Sequence, residues 1–464
     1  MKSFFSCVLL AGTALAPTPA LAQEASPDDR VAALAAEVAR LNQPIAELEA
    51  AQAGAAPAAA PAASSGESAP ATPSAAQAQA AAAPIAWEGA PEFESASGWS
   101  FKPFGRLNID GGIVDAPDST GREDGFGSEI RRARIGMEGD IPGGFGYKIE
   151  VDFAGNDVTV TDAIVTYEDG PLTLTAGQHN NFQSLEELTS SRWSSFIERA
   201  AFTDAFGFTR KLGVSAQVEV AESVLLQAGV FTDNIDDLPG DTWTADARLV
   251  ASPTLGDTQL HFGGSVHFTD TAEDETQRYR QRPLVHFTSE RFIDTGAFDA
   301  DSTLGAGLEA AVITGPFHAV GEAFWQSANR SEIDRNMGAG TLEDAAFFGG
   351  YLEAGLFLTP GDSRGYSGAK FNRTRPARPV NEGGPGAWQV NVRYDYLDLT
   401  DSDAGITGGT QNGYFASLIW VPTDYTRLML NYGRLAYDDA IYPTASGARD
   451  YSVDVLGVRA QIDF

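Results

Sequence analysis

Arginine is the residue type through which this sequence most plainly offers chemistry. The chain carries 26 arginines against 5 lysines, although its 464 residues sum to a formal charge of −32. A guanidinium presents a rigid fork of donors that matches two oxygens of a phosphate or carboxylate; an ammonium does not. Arg278, Arg280 and Arg282 alternate with Tyr279 and Gln281 just before Pro283. On an extended strand these three share one face, stepped roughly 6.6 Å apart. In a second set, Arg132 and Arg134 share a face opposite Ala133, Ile135 and Met137. Arg131 has the opposite parity and turns inward only if a bulge re-aims it. Arg106 falls on a face with Asn108 and Asp110, opposite Leu107 and Ile109.

Such residues need elements to position them, and the hydropathy pattern supplies strands. Trp388, Val390, Val392, Tyr394 and Tyr396 alternate with Gln389, Asn391, Arg393 and Asp395. Tyr147, Ile149, Val151 and Phe153 alternate with Lys148, Glu150 and Asp152. Period-2 alternation places the two sets on opposite faces of a strand. The repeating segments run about ten residues, the length a tilted strand needs to cross a bilayer's hydrocarbon, and their polar faces are charged. The last segment keeps Leu456, Val458, Ala460, Ile462 and Phe464 on one parity, whereas Val453 and Val455 lie on the other. A bulge, or a strand leaving the hydrocarbon early, explains that break. The terminal Phe464 resembles the signal that outer-membrane assembly machinery reads.

The span 98–464, at roughly two dozen residues per strand and connection, predicts about sixteen strands. The expected fold is all-β: a transmembrane antiparallel barrel wide enough for an aqueous channel. Three cations on its lipid face would cost about 2–4 kcal/mol each near the midplane. Arg278, Arg280 and Arg282 are therefore expected on a lumen-facing strand as a ladder for anions. In the competing placement they sit at the base of an outer loop, neutralised by Glu273, Asp274 and Glu275.

Upstream of the barrel, Met1-Lys2, an apolar run from Phe4 to Leu15 and Ala20-Leu21-Ala22 predict a cleavable signal peptide over 1–22. The single cysteine, Cys7, lies within it, so disulfides and thiolate chemistry are not expected. Val31, Leu34, Val38, Leu41, Ile45 and Leu48 recur at heptad spacing, predicting a short coiled-coil helix over 23–52. Pro44 interrupts it, at a cost of about 3 kcal/mol inside a helix. The Ala/Pro-rich stretch 53–97 cannot bury enough surface to offset its ordering entropy and is expected as a disordered linker.

Other chemistries find little support. The acidic total disfavours nucleic acid, whose phosphates require basic surface. His179, His261, His267, His286 and His318 form no metal-spaced pair. No nucleophile elbow or phosphate-cradling glycine loop is present, so neither an enzyme nor a cofactor nor a metal is expected. The acidic runs 233–241, 273–275 and 398–403 read as solvated loops; calcium would need about 6–8 converging oxygens.

Across most of 98–464 the sequence resembles the phosphate- and polyphosphate-selective outer-membrane porins. The resemblance rests on Gly105-Arg106-Leu107, Ile130 to Arg134, Thr189-Ser190-Ser191-Arg192-Trp193 and Glu198-Arg199. It continues through Arg278 to Arg282, Gly368-Ala369-Lys370-Phe371, Gly386-Ala387-Trp388 and Arg393-Tyr394-Asp395. It implies a homotrimer of sixteen-stranded barrels in outer-membrane lipid, conducting small anions such as phosphate. It maps Arg106, Arg131, Arg132, Arg278, Arg280 and Arg282 onto a ladder, which parity extends to Arg134. It also makes residues 180–204 a constricting loop carrying Arg192, Trp193 and Arg199, with a short helix from Trp193 to Arg199. The family's loop lysine is replaced by Glu187, and Thr161 precedes Asp162 where the family has its companion aspartate. An acid there favours cations. Three functions follow: an anion channel; a general or cation-preferring channel; or an envelope tether whose N-terminal segment touches the cell wall from the periplasm.

Overall fold

The computed structural model describes residues 85–464 apart from 123–124, 156, 239, 272–275, 331–332, 335–337 and 340–342. The expected signal peptide, coiled coil and most of the linker, with Glu273, Asp274 and Glu275, lie outside the described residues. The end of the expected linker forms a short hairpin, Ala86–Trp87 with Pro91–Glu94, which pairs Phe93 with Phe101.

Among the described residues, sixteen long antiparallel strands close into one barrel. The first eight are β1 (Ser100–Asp115), β2 (Gly125–Ile141), β3 (Phe145–Asp152), β4 (Thr159–Asp169), β5 (Leu172–Asn180), β6 (Arg210–Ala221), β7 (Val224–Phe231) and β8 (Trp243–Ala251). The rest are β9 (Thr258–Asp270), β10 (Ser302–Thr314), β11 (Phe317–Asn329), β12 (Ala345–Phe357), β13 (Ala387–Asp401), β14 (Ile406–Thr423), β15 (Thr426–Asp438) and β16 (Tyr451–Asp463). Each pairs with its sequence neighbour, and β16 returns to β1 in register from Asp463↔Arg106 to Asp454↔Asp115. Phe464 and Gly105 exchange backbone hydrogen bonds at 3.0 Å, sealing the seam. Closure leaves no strand edge unpaired, the condition for a sheet in hydrocarbon.

The alternation resolves as expected. Ile109, Ile135, Ile149, Val392, Leu456, Val458 and Ile462 are exposed on the outside, whereas Asn108, Glu150, Gln389, Asn391, Arg393 and Asp395 are buried. So much exposed apolar surface suits lipid and not water. Outer aromatics gather at both rims: Trp388 stacks on Trp420, and Phe145 packs at a tilt against Tyr167, at the short-turn rim. Trp243 with Phe268, and Trp325 with Phe348, make tilted pairs at the opposite rim. Two girdles around an apolar band are the signature of a membrane barrel.

Val453 and Val455 do not mark a bulge, because β16 keeps register with both neighbours. They are fully buried in a cluster with Ile197, Leu284 and Val285, residues of connections folded inside the barrel. Among the described residues, three long segments fold inward: 181–209 and 276–301 from the long-loop rim, and 358–386 from the short-turn rim. The interior is thus part lumen and part packed core.

Candidate functional site

The connection 181–209 crosses the lumen and is held by the wall it reaches. Its helices are α1 (Leu185–Leu188) and α2 (Ala201–Ala205). At the start of α1 the Leu185 and Glu186 N–H groups donate to the Glu322 carboxylate of β11 at 2.9 and 2.8 Å. At the start of α2 the Ala201 N–H donates to Asp395 of β13 at 2.9 Å. Carboxylates at these positions satisfy amides that have no partner within the helix.

Between the helices, the expected helix from Trp193 to Arg199 is not formed. Its backbone groups bond sideways to the barrel instead of along the chain. Ile197 N–H donates to Asn431 at 3.1 Å, Ser417 donates to the Ser195 carbonyl at 2.7 Å, and Arg427 donates to the Arg192 and Ser194 carbonyls. Glycines receive the loop's bulk. A Cβ on Gly457 would lie 2.4 Å from Ile197 Cδ1, and one on Gly349 2.4 Å from Phe202 Cβ.

Opposite this loop stands the wall of β1, β2, β3 and β16. A bulge pairs Asn108 with Arg132 and Ile109 with Ile130, leaving Arg131 as the extra residue. It turns Arg131 inward, where Nε and Nη2 donate to Glu198 of the loop at 2.8 and 3.1 Å. Arg132 is buried, and its Nη1 has no hydrogen-bond partner. Arg134 donates to Asp152 at 2.6 Å and Glu150 at 3.2 Å. Arg106 donates to Glu150 at 2.8 Å and to Ser191 at 2.9 Å. The expected inward set, Arg106, Arg131, Arg132 and Arg134, is therefore brought together.

Arg278, Arg280 and Arg282 require a correction. They share one face, but they lie on the inward segment 276–301 and not on a barrel strand. The segment pairs only locally, Arg280–Gln281 with Ile293–Asp294, and turns at Pro283 and Leu284, the latter at φ +62°. Tyr279 is buried among Phe206, Phe298 and Phe347, which aims the arginines the other way, into water. Arg278 is held by Asp294 at 2.5 Å, and Arg282 Nε donates to the Thr288 carbonyl at 3.0 Å. Arg278 and Arg280, with Lys211 and Arg291, line a cavity of about 490 Å³. Arg282 lines a smaller one of about 150 Å³ together with Arg131, Arg132, Glu187, Glu198 and Arg199.

Glu187 lies in that smaller cavity but is not a bare anion. Arg199 Nη1 sits 3.1 Å from its carboxylate. Burial pushes the Glu187 pKa up, further than Arg199 draws it down. For Glu198 burial acts in the same direction, but Arg131, Arg132 and Arg459 outweigh it and hold that carboxylate well below its ordinary range. Arg199 also donates to the Glu186, Glu187 and Thr189 carbonyls, so it staples α1. Arg192 lies over the Trp193 ring at 4.9 Å, and Arg373 from the inward turn 358–386 approaches the same ring at 4.4 Å. Asp162 is taken by Arg210 at 2.6 Å and Lys148 at 2.9 Å, while Thr161 donates to Glu150 at 2.8 Å.

Further lumen residues emerge only in three dimensions. Arg459 donates to Asp110 at 2.7 and 2.6 Å and to Glu198 at 3.0 Å. Arg393 joins Glu186 and Glu353, while Arg248 joins Glu309 and the Ala369 carbonyl of the inward turn. The signal for them was a lone charge at inward parity. Which partner each one meets, distant in sequence, carried none.

A closed sixteen-strand barrel, apolar outside and narrowed inside by a charged inward loop, defines an outer-membrane porin. The chain belongs to the phosphate-selective porin O and P family, whose model matches residues 101–464. It is 45% identical to an uncharacterised protein of Caulobacter vibrioides, covering 98% of this chain and 95% of the relative. It is 29% identical to Porin O of Pseudomonas aeruginosa, over 66% of this chain and 74% of that one. Among solved structures, the anion-selective porin of Comamonas acidovorans shares the fold at TM-score 0.51 and 13% identity, covering 79% of this chain and all of the other. OmpT of Vibrio cholerae does so at TM-score 0.50 and 12% identity, covering 80% and 99%.

Proposed function

We propose that this porin is a passive channel for small oxyanions of the phosphate class, which travel along its arginines. The observation that carries the reading is Arg132: a buried guanidinium with an unmatched Nη1, in a cavity shared with Arg131, Arg199 and Arg282. A buried cation with no anion of its own is costly, and its field favours an anion in the cavity that it lines. The row Arg278, Arg280, Arg282 leads from the larger cavity to the smaller one and gives successive weak sites, as conduction requires. The description of the matching family as phosphate-selective points the same way. The cation-preferring alternative rests on Glu187, whose charge Arg199 opposes at 3.1 Å, and on the chain's acidic total of −32.

The barrel works as one subunit of a trimer in this reading, with the N-terminal segment in the periplasm. The test is a planar-bilayer recording of reversal potential in a chloride gradient, with and without phosphate. An anion-signed potential, phosphate block of chloride current and loss of that block in Arg132→Gln support the reading. A cation-signed potential contradicts it.

A further inference from the structure

The constriction already contains an anion, and it belongs to the protein. The Glu198 carboxylate meets Arg131 in the two-point geometry with which a guanidinium grips any carboxylate or phosphate, at 2.8 and 3.1 Å. Arg459 adds a third hydrogen bond at 3.0 Å while keeping Asp110 as its own two-point partner. Arg132, next along the strand, lines the same cavity with its Nη1 unmatched. The other loop carboxylates there are differently disposed: Glu187 is tied to Arg199, and Asp204 is exposed. The backbone beneath Glu198 is pinned to β15 through Ile197 and Asn431. Its side chain is therefore the movable part of the arrangement.

We propose that Glu198 is the specificity-determining residue of the constriction, a tethered counter-anion that permeating oxyanions must displace from Arg131. This deepens the oxyanion reading above and rests on it. An incoming anion with two adjacent acceptor oxygens first enters the cavity that Arg132 lines. It then exchanges with the Glu198 carboxylate on the Arg131 fork and moves on when that carboxylate returns. No bond is made or broken; one charge-assisted pair replaces another. The exchange keeps the site charge-balanced when empty and makes binding in transit weak. It selects against chloride, which cannot span the fork, and in favour of phosphate, sulfate and short carboxylates.

The experiment compares wild type with Glu198→Gln in planar bilayers, titrating inorganic phosphate against chloride current. Removing one negative charge a few ångströms from the site lowers the half-blocking phosphate concentration by about tenfold. Glu198→Asp, whose shorter arm withdraws from Arg131, gives an intermediate shift and carries the test if the glutamine variant does not assemble. An unchanged or raised half-blocking concentration in the variants, alongside an anion-selective wild type, overturns the proposal and leaves the channel reading intact. A cation-selective wild type overturns both.

Discussion

Two arginine runs that look alike along the chain end in different settings. Arg131, Arg132 and Arg134 belong to a barrel strand, where parity turns Arg132 and Arg134 inward and a one-residue bulge adds Arg131. Two of them are committed to carboxylates at hydrogen-bond distance, and they face the loop that narrows the lumen. Arg278, Arg280 and Arg282 belong to an inward loop, and their shared direction is set by the burial of Tyr279 and not by a barrel wall. Cations on the strand are fixed by both the sheet and charge; cations on the loop owe their direction to one aromatic anchor, with Arg278 alone also held by a carboxylate, that of Asp294. The first run is built to hold its geometry, and the second to offer charge to water.

The strongest way to break this comparison is by deletion. Arg131 is the extra residue of the bulge, so its deletion leaves Asn108 opposite Arg132 and Ile109 opposite Ile130. That protein is expected to form the barrel, seen as retained heat-modifiable migration on a gel. Deleting Ala133 instead flips one side of the strand and turns charges toward lipid at about 2–4 kcal/mol each near the midplane. That variant is expected not to assemble. Equal behaviour of the two deletions would show that the bulge does not set the parity.

A smaller effect separates the loop arginines. Arg278→Ala removes a pair with Asp294, whereas Arg280 is exposed. Each exposed or half-exposed pair contributes about 0–1 kcal/mol, so neither change should move the melting temperature by more than a few degrees. Both should reduce anion conductance measured at low salt, and the loss should shrink at high salt as screening takes over. A large drop in thermal stability from Arg280→Ala would assign that residue to the scaffold.

The smallest effect is that of pH. Because burial raises the Glu187 pKa, its carboxyl takes up a proton on acidification earlier than an ordinary glutamate does. Glu198, held low by three arginines, stays ionised over the same range. Anion selectivity should therefore rise modestly as pH falls from neutrality, and Glu187→Gln should flatten that dependence. A selectivity that falls on acidification contradicts the assignment.

The lipid-facing half of the fold was legible because hydrocarbon enforces parity on every strand it touches, as Val392 against Arg393 illustrates. The inner face was less so. Val453 and Val455 broke the alternation because packed loops, not water, lie against them. The helix expected from Trp193 to Arg199 failed because Asn431, Ser417 and Arg427, distant in sequence, take up its backbone groups. Arg278, Arg280 and Arg282 showed their common direction but not their element, since a short alternation is the same in a loop hairpin as in a wall. Glu187 suggested repulsion of anions, but its neutralising partner, Arg199, was hidden in the fold of the loop.

The most direct test of the central claim, that the arginine face governs what passes, is the reversal potential of single wild-type channels in a potassium chloride gradient. The account predicts an anion-signed potential that moves toward zero in Arg132→Gln. A cation-signed potential, or an anion-signed one indifferent to Arg132, would contradict it.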